Sequence, residues 1–292
     1  MKDSTRVRHD LGIDRVVARL QRCLAEGLPL PDVAELAALA HQSPFHFQRV
    51  YRALTGESIG RTVVRLRLLR ALQLLERPGA SVTEAALGAG YGTPQALARA
   101  FRQELDASPS ALRSRPALLQ AERTRLSQPP PLPADAAPLQ VTVTTLEPLQ
   151  VLALRKRGPF EELDGAFGRL FEWAAGQGLV ERLRQLVGIP LDDHRDVPPP
   201  RFAFDCAMAF DAALPGPPAP MRVLRLDGGR YAVLRHVGSY LELEAATDRL
   251  LARWLPGSGH ALRDAPIHYH YLDDPEEVPE SILRADIRVP LR

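Results

Sequence analysis

Residues 90–102 read Gly-Tyr-Gly-Thr-Pro-Gln-Ala-Leu-Ala-Arg-Ala-Phe-Arg. Thr93 has a helix-capping side chain and Pro94 suits a first helical turn, so the Gly-rich approach stops and a helix starts there. At helical spacing Leu97, Ala100 and Phe101 share one face, while Gln95, Arg99 and Arg102 point elsewhere. The stretch predicts a helix packed on one side and basic on the other.

The same device occurs 50 residues earlier, in Ser43-Pro44-Phe45-His46-Phe47-Gln48-Arg49-Val50-Tyr51-Arg52. Cap, proline, apolar positions, Arg49/Arg99 and Arg52/Arg102 coincide. Each copy follows a short apolar helix, Val33 to Ala40 and Val82 to Leu87, so two helix-turn-helix units are the economical reading. Between them Ile59 to Leu75 sets Val63, Leu66, Leu69, Leu74 and Leu75 among arginines. One helix of 17 residues is about 25 Å long, a strut able to hold two basic helices about one DNA turn apart.

These features resemble the DNA-binding domain of AraC/XylS-type regulators, over residues 11 to 113. The resemblance rests on the paired units, the Thr55-Gly56 turn, Arg67 to Leu75, Gly90-Tyr91 and the closing Ser108-Pro109 to Arg113. Two departures stand out: Tyr51 where that family usually has Phe, and Asp106 where its closing turn usually has Gly. The resemblance implies double-stranded promoter DNA as a partner and RNA polymerase as a possible second one.

Charge agrees with this division. The net charge is only +2, yet residues 1 to 125 hold 19 Lys+Arg against 12 Asp+Glu, and the remainder 18 against 23. A basic first part is the footprint of a phosphate-binding surface; an acidic second part repels DNA and suits another partner. The 292 residues suffice for two cores. No run of 18 apolar residues and no apolar signal core occur, so the expectation is a soluble cytoplasmic protein without membrane contact. Cys23 and Cys206 stand far apart, outside any ligand cluster, and read as buried thiols.

Residues 1 to 10 read as a frayed end, and Leu11 to Leu24 as a scaffold helix carrying Ile13, Val16, Val17 and Leu20 inward. Five prolines between Gln128 and Pro138 place a semi-rigid linker at 126–138, after a helical domain at 11–125. A second domain, 139–292, changes period: Val141 to Leu146 alternates as a strand. Val151-Leu-Ala-Leu-Arg-Lys-Arg-Gly158-Pro-Phe160 then recurs 80 residues later as Tyr231-Ala-Val-Leu-Arg-His-Val-Gly238-Ser-Tyr240. Each copy runs into a helix, Glu161 to Ala175 and Leu241 to Trp254, and strands also fit Phe202 to Phe210, Met221 to Leu226, Ile267 to Tyr271 and Leu283 to Val289. The fold class is therefore multidomain: an all-α double helix-turn-helix domain, then a duplicated α+β domain with an antiparallel sheet and helices on one face.

The second domain resembles the GyrI-like effector-binding domain, from Leu139 to Arg292, through its duplicated strand-Gly-aromatic-helix unit and the endings Tyr271 to Pro275 and Asp286 to Pro290. That resemblance implies a small-molecule effector, lipophilic in character, and permits a protein-interaction role. Many members carry a Glu on the strand before the Asp-Pro turn to meet a cation. Here that strand reads Pro266-Ile-His-Tyr-His-Tyr271 and has no carboxylate.

Gln48, Arg49, Gln95 and Arg99 are the expected base readers, since Arg pairs with guanine and Gln with adenine in a groove that admits a helix. Phe45 and His46 open the first such helix, in reach of a thymine methyl or a phosphate, and His46 serves equally as a structural residue. Arg52, Arg102, Arg65 and Arg113 either meet phosphates or brace the fold. For the effector the expected residues are Phe160 and Tyr240, at equivalent places, Trp173 and Trp254, ending the two helices, and Tyr269 and Tyr271 on one strand face. Each alone reads as well as core.

His268 and His270 lack a fixed third ligand for a metal, Ser239 and Ser258 lack a nucleophile elbow, and Glu161, Glu162 and Glu242 fit helix starts. No catalytic residue, metal or cofactor is assigned. The reading is a transcription regulator controlled by a small effector. Its alternatives are a hydrolase or sequestering domain, or a protein-interaction module, fused to the DNA-binding domain.

Overall fold

The computed structural model describes residues 3–131 and 138–292, with side chains described except at positions 3–10, 44, 45 and 161. The described chain forms two compact units, a helical one from residue 7 and a sheet one from residue 138. Most of the segment read as a linker, 132–137, lies outside the described residues.

The helical unit contains α1 (Asp3–Glu26), α2 (Val33–Leu39), α3 (Pro44–Thr55), α4 (Ile59–Leu75), α5 (Val82–Gly88), α6 (Pro94–Leu105), α7 (Pro109–Arg113) and α8 (Pro116–Leu126). α1 starts well before Leu11, so residues 3–10 are helical where fraying is expected from their polarity. α8 goes unread in the sequence, its buried residues Leu119 and Leu126 being too sparse for a clear stripe. The two helix-turn-helix units, α2–α3 and α5–α6, repeat down to their caps. Asp32 with Glu35 and Ser81 with Glu84 each close a reciprocal capping box.

Each unit has its own core, and α4 serves both: Leu66 packs with Leu36, Phe47 and Tyr51, and Leu68 and Leu72 with Leu97 and Phe101. Phe47, Leu97 and Phe101 are fully buried, worth roughly 1.5–3 kcal/mol each. α4 is braced from below, where Arg65 donates to both Glu57 oxygens (2.7–3.2 Å) and to Leu126 O (2.9 Å). Glu57 also accepts from Thr62, whose hydroxyl meets that of Tyr51 at 2.8 Å. Tyr51 thus uses its extra oxygen inside the core, and burial pushes its pKa up to about 12.

The sheet unit carries β1 (Val141–Leu146), β2 (Leu149–Arg157), α9 (Leu163–Gly176), β3 (Leu183–Pro190), β4 (Ala203–Phe210), β5 (Met221–Leu226), β6 (Gly229–Val237), α10 (Leu243–Arg249), α11 (Leu255–Ser258), β7 (His268–Tyr271) and β8 (Arg284–Pro290). One turn of π-helix, Leu250–Trp254, joins α10 to α11. A single antiparallel sheet orders the strands β1-β6-β8-β7-β3-β4-β2-β5. Each half exchanges its first strand, β1 pairing with β6 and β5 with β2, while β3 and β7 join the halves at the centre. The expected duplication is present, with one strand, β3, that sequence reading omits.

Both halves turn into their helices identically. Gly158 and Gly238 each sit at φ +131°, and their N–H groups donate to Phe202 O and Leu283 O. That backbone region is nearly closed to residues with a Cβ.

Candidate functional sites

α3 and α6 hold the expected DNA-reading residues. Thr93 Oγ1 accepts from Ala96 N–H at 3.1 Å, so the cap forms as its sequence predicts. Ser43, its counterpart, makes no side-chain cap bond and keeps a buried Oγ without a partner. α3 ends at Gly56 (φ +73°) and α6 at Asp106 (φ +49°), so the aspartate adopts the turn a glycine makes in the first copy. Gln48, Gln95, Arg99 and Arg102 are exposed, and Arg49 and Arg52 half-buried. His46 is 2% exposed, which removes it from the surface set and favours its structural role. The side chain of Phe45 lies outside the described residues. Arg65 and Arg113 prove to be braces, the latter donating to Ala80 O at 2.9 Å.

In the sheet unit, strand alternation sends Tyr269 and Tyr271 to the side where the helices lie, and His268 and His270 to the other. Thr247 of α10 meets the Tyr269 hydroxyl at 3.3 Å, and Phe167 of α9 sits edge-on to Tyr271 at 5.9 Å. Tyr240 packs on Tyr271 at 4.8 Å and donates to Asp273 O. Phe160 lies 4.7 Å from the His194 ring and about 6 Å from Phe202 and Phe204. At the cluster's floor stands Gly188, where a Cβ would come within 2.5 Å of Tyr271 Oη and 2.6 Å of the Phe204 ring. Phe160, Phe167, His194, Tyr240 and Tyr271 are half-buried, so this ring cluster reaches solvent.

Its polar centre is Glu244 on α10. The carboxylate is 1% exposed, lies 3.7 Å from His194 Nδ1, and neither oxygen accepts a hydrogen bond from the described residues. The carboxylate raises the His194 pKa above its ordinary value, against burial that works the other way. Burial in turn pushes the Tyr271 phenol well up.

Four expected effector residues, Phe160, Tyr240, Tyr269 and Tyr271, therefore come together. Trp254 instead stacks on His260 at 5.9 Å, and Trp173 makes no ring contact with the cluster. Sequence reading passes over Phe167, Phe202, Phe204 and Glu244. A signal for the last existed: Leu243, Glu244, Thr247, Leu250 and Leu251 fall on one inward stripe at helical spacing. Glu162 and Glu242, read as helix-start carboxylates, line two other, equivalent grooves, between β2 and α9 and between β6 and α10.

Residues 139–292 match the GyrI-like small molecule binding domain, and residues 36–115 a helix-turn-helix domain. The chain is 32% identical over 154 residues to the probable transcriptional regulator YgiV of Escherichia coli K12, covering 52% of this chain and 96% of that one. It is 30% identical over 105 residues to the regulatory protein SoxS of Salmonella typhimurium, covering 35% of this chain and 95% of SoxS. Among solved structures it is similar to EcmrR in a DNA complex, with TM-score 0.45, 10% identity, and 90% and 99% of the two chains covered. The chain belongs to the GyrI-like family, and its helical unit is an AraC-type helix-turn-helix domain.

Proposed function

We propose that this GyrI-like regulator senses a lipophilic cation in the aromatic cluster around Glu244 and reports it through α3 and α6 on promoter DNA. The single observation that carries the effector class is the Glu244 carboxylate, buried among rings and accepting no hydrogen bond. A buried carboxylate left this way costs several kcal/mol, and a ligand cation between aromatic faces recovers that cost. The carboxylate absent from the β7 strand is thus supplied from α10, and the departure noted in sequence does not remove the cation's counter-charge.

His194 gives the reading a pH signature. When protonated it is the competing cation for Glu244, and its folded pKa is raised. The stability its pairing contributes is present below the unfolded value and fades as pH rises through the folded one. Cation affinity is expected to run the opposite way, increasing as His194 loses its proton. Titration calorimetry of the full chain with tetraphenylphosphonium across pH 5.5 to 8.5 checks this. Glu244→Gln should weaken binding about tenfold or more; equal affinity in both proteins refutes the cation reading.

For DNA, Gln48, Arg49, Gln95 and Arg99 read bases and Arg52 and Arg102 meet phosphates. Arg49→Ala or Arg99→Ala should each cost about 1–3 kcal/mol on a selected site. A band-shift titration in which neither changes affinity removes both from the reading set. The effector acts only through unequal affinity for two states of the protein, altering DNA occupancy or RNA polymerase contact. Sensing without turnover is part of the proposal, and recovery of the intact cation by mass spectrometry checks it. No described helix is long and apolar enough to cross a membrane, and a cytoplasmic location, where promoter DNA is met, is part of the proposal.

A further inference from the structure

The duplication supplies an internal control for the sheet face that looks away from α9 and α10. In the first half Val187 on β3 stands directly opposite Ala207 on β4, and Ile189 opposite Asp205. In the second half the same registers hold His268 opposite Arg288 and His270 opposite Asp286. Val151 on β2 corresponds to Tyr231 on β6. Val151, Val187, Ile189 and Ala207 form part of a closed apolar cluster. The backbone plan is therefore satisfied by aliphatic side chains at these places.

The second half buries polar groups there instead. His268 is 3% exposed and His270 fully buried. Their rings share one hydrogen bond, His268 Nδ1 to His270 Nε2 at 2.7 Å. Whichever tautomer is present, the pair's outer ends then offer one N–H and one lone pair. Those outer atoms, His268 Nε2 and His270 Nδ1, are buried without partners among the described residues, and so is Arg288 Nε. Tyr231 packs against His268 at 5.3 Å, and Arg263 lies over the Tyr231 ring at 5.2 Å. The carboxylate on this side, Asp286, is engaged by Arg235 at 2.5 Å. Burial, reinforced by the guanidiniums of Arg288 and Arg263, holds the His268 pKa down to about 3, so both imidazoles are neutral and Arg288 supplies the charge.

We infer that His268, His270 and Arg288 form a second binding site, distinct from the aromatic cluster, for a small oxyanion: a carboxylate or a phosphate. Arg288 offers the guanidinium N–H geometry that matches two anionic oxygens, and the histidine pair adds a ring N–H. Leaving the ring N–H and Arg288 Nε unpaired costs free energy that the first half avoids, and an anion that accepts from both recovers it. The site is separate from the effector proposal, because β7 turns its tyrosines to one face and its histidines to the other.

The test uses the full chain and grafts the first half's residues: His268→Val, His270→Ile and Arg288→Ala together. Thermal unfolding is followed with inorganic phosphate, with acetate and with benzoate, each against chloride at equal ionic strength. The wild type should gain Tm with phosphate or with the carboxylates, which also tells the two sources apart. The triple variant should lose that gain and unfold no earlier than wild type in chloride. Calorimetric titration of Arg288→Met with the effective anion, used where the triple variant fails to fold, should show affinity reduced about tenfold or more. No anion-dependent gain in the wild type, an equal gain in the triple variant, or unchanged affinity in Arg288→Met overturns the assignment.

Discussion

The two halves of the sheet unit share a backbone plan and differ in what they bury. Both keep the glycine turn at φ +131° and an aromatic residue after it, Phe160 or Tyr240. Both keep an Arg–Asp pair between neighbouring strands, Arg155 with Asp205 and Arg235 with Asp286. Where they part, the first half has Gly188, exposed Asp164 and Val187, and the second Tyr269, buried Glu244 and His268. What the copies share holds the fold. What they do not share gathers at the ring cluster and at the histidine pair, where, among the described residues of the sheet unit, buried polar atoms lack partners.

The sharpest way to break this contrast is at Gly188. Tyr269 occupies the matching place in the other half, yet Gly188→Ala would drive a Cβ into Tyr271 and Phe204. Crowding of this kind costs about 3 kcal/mol and closes the floor of the cluster, so urea unfolding and cation titration should both register it. Next come the shared ion pairs. Asp205 accepts from Arg155 (2.8 and 2.9 Å) and from Arg222 (2.6 Å), whereas Asp286 has Arg235. Asp205→Ala should cost about 2 kcal/mol in denaturant unfolding and Asp286→Ala about half as much, the arginines being open enough to rehydrate.

Acid separates the halves more gently. Burial pushes the Asp205 carboxyl up, but Arg155 and Arg222 outweigh it and leave the pKa below its usual value. Its stabilisation is full above the unfolded value and is lost as pH falls through the folded one. Stability below about pH 4 should therefore fall more steeply in wild type than in Asp205→Asn. The smallest effect is a gain. Gly168 on α9 faces open space where α10 has Asp248, so Gly168→Ala should raise stability by about 0.5–1 kcal/mol.

Local features of the chain were legible in its sequence and distant pairings were not. The Thr93-Pro94 start, the offset of 50 between α3 and α6, and the offset of 80 between β2 and β6 are written in contiguous residues. β3 is not: Leu183-Arg-Gln-Leu-Val-Gly-Ile-Pro lacks strict alternation, because Val187 to Pro190 are buried on both faces of the sheet. The exchange of β1 and β5 between halves depends on contacts no local pattern encodes. Likewise period 2 shows that Tyr269 and Tyr271 share a face, but not that Phe160 and Phe204 meet them there. His46 illustrates the reverse limit, since a helix-start histidine reads equally as a DNA contact or a structural residue until packing buries it.

The central claim is that a cation at Glu244 controls DNA binding by α3 and α6, and one titration tests it. Affinity of the full chain for a selected DNA site is measured with and without saturating tetraphenylphosphonium, for wild type and for Glu244→Gln. The account predicts a change of about fivefold or more in wild type and none in the variant at the same concentration. A cation that binds wild type yet leaves its DNA affinity unchanged, or shifts both proteins equally, contradicts it.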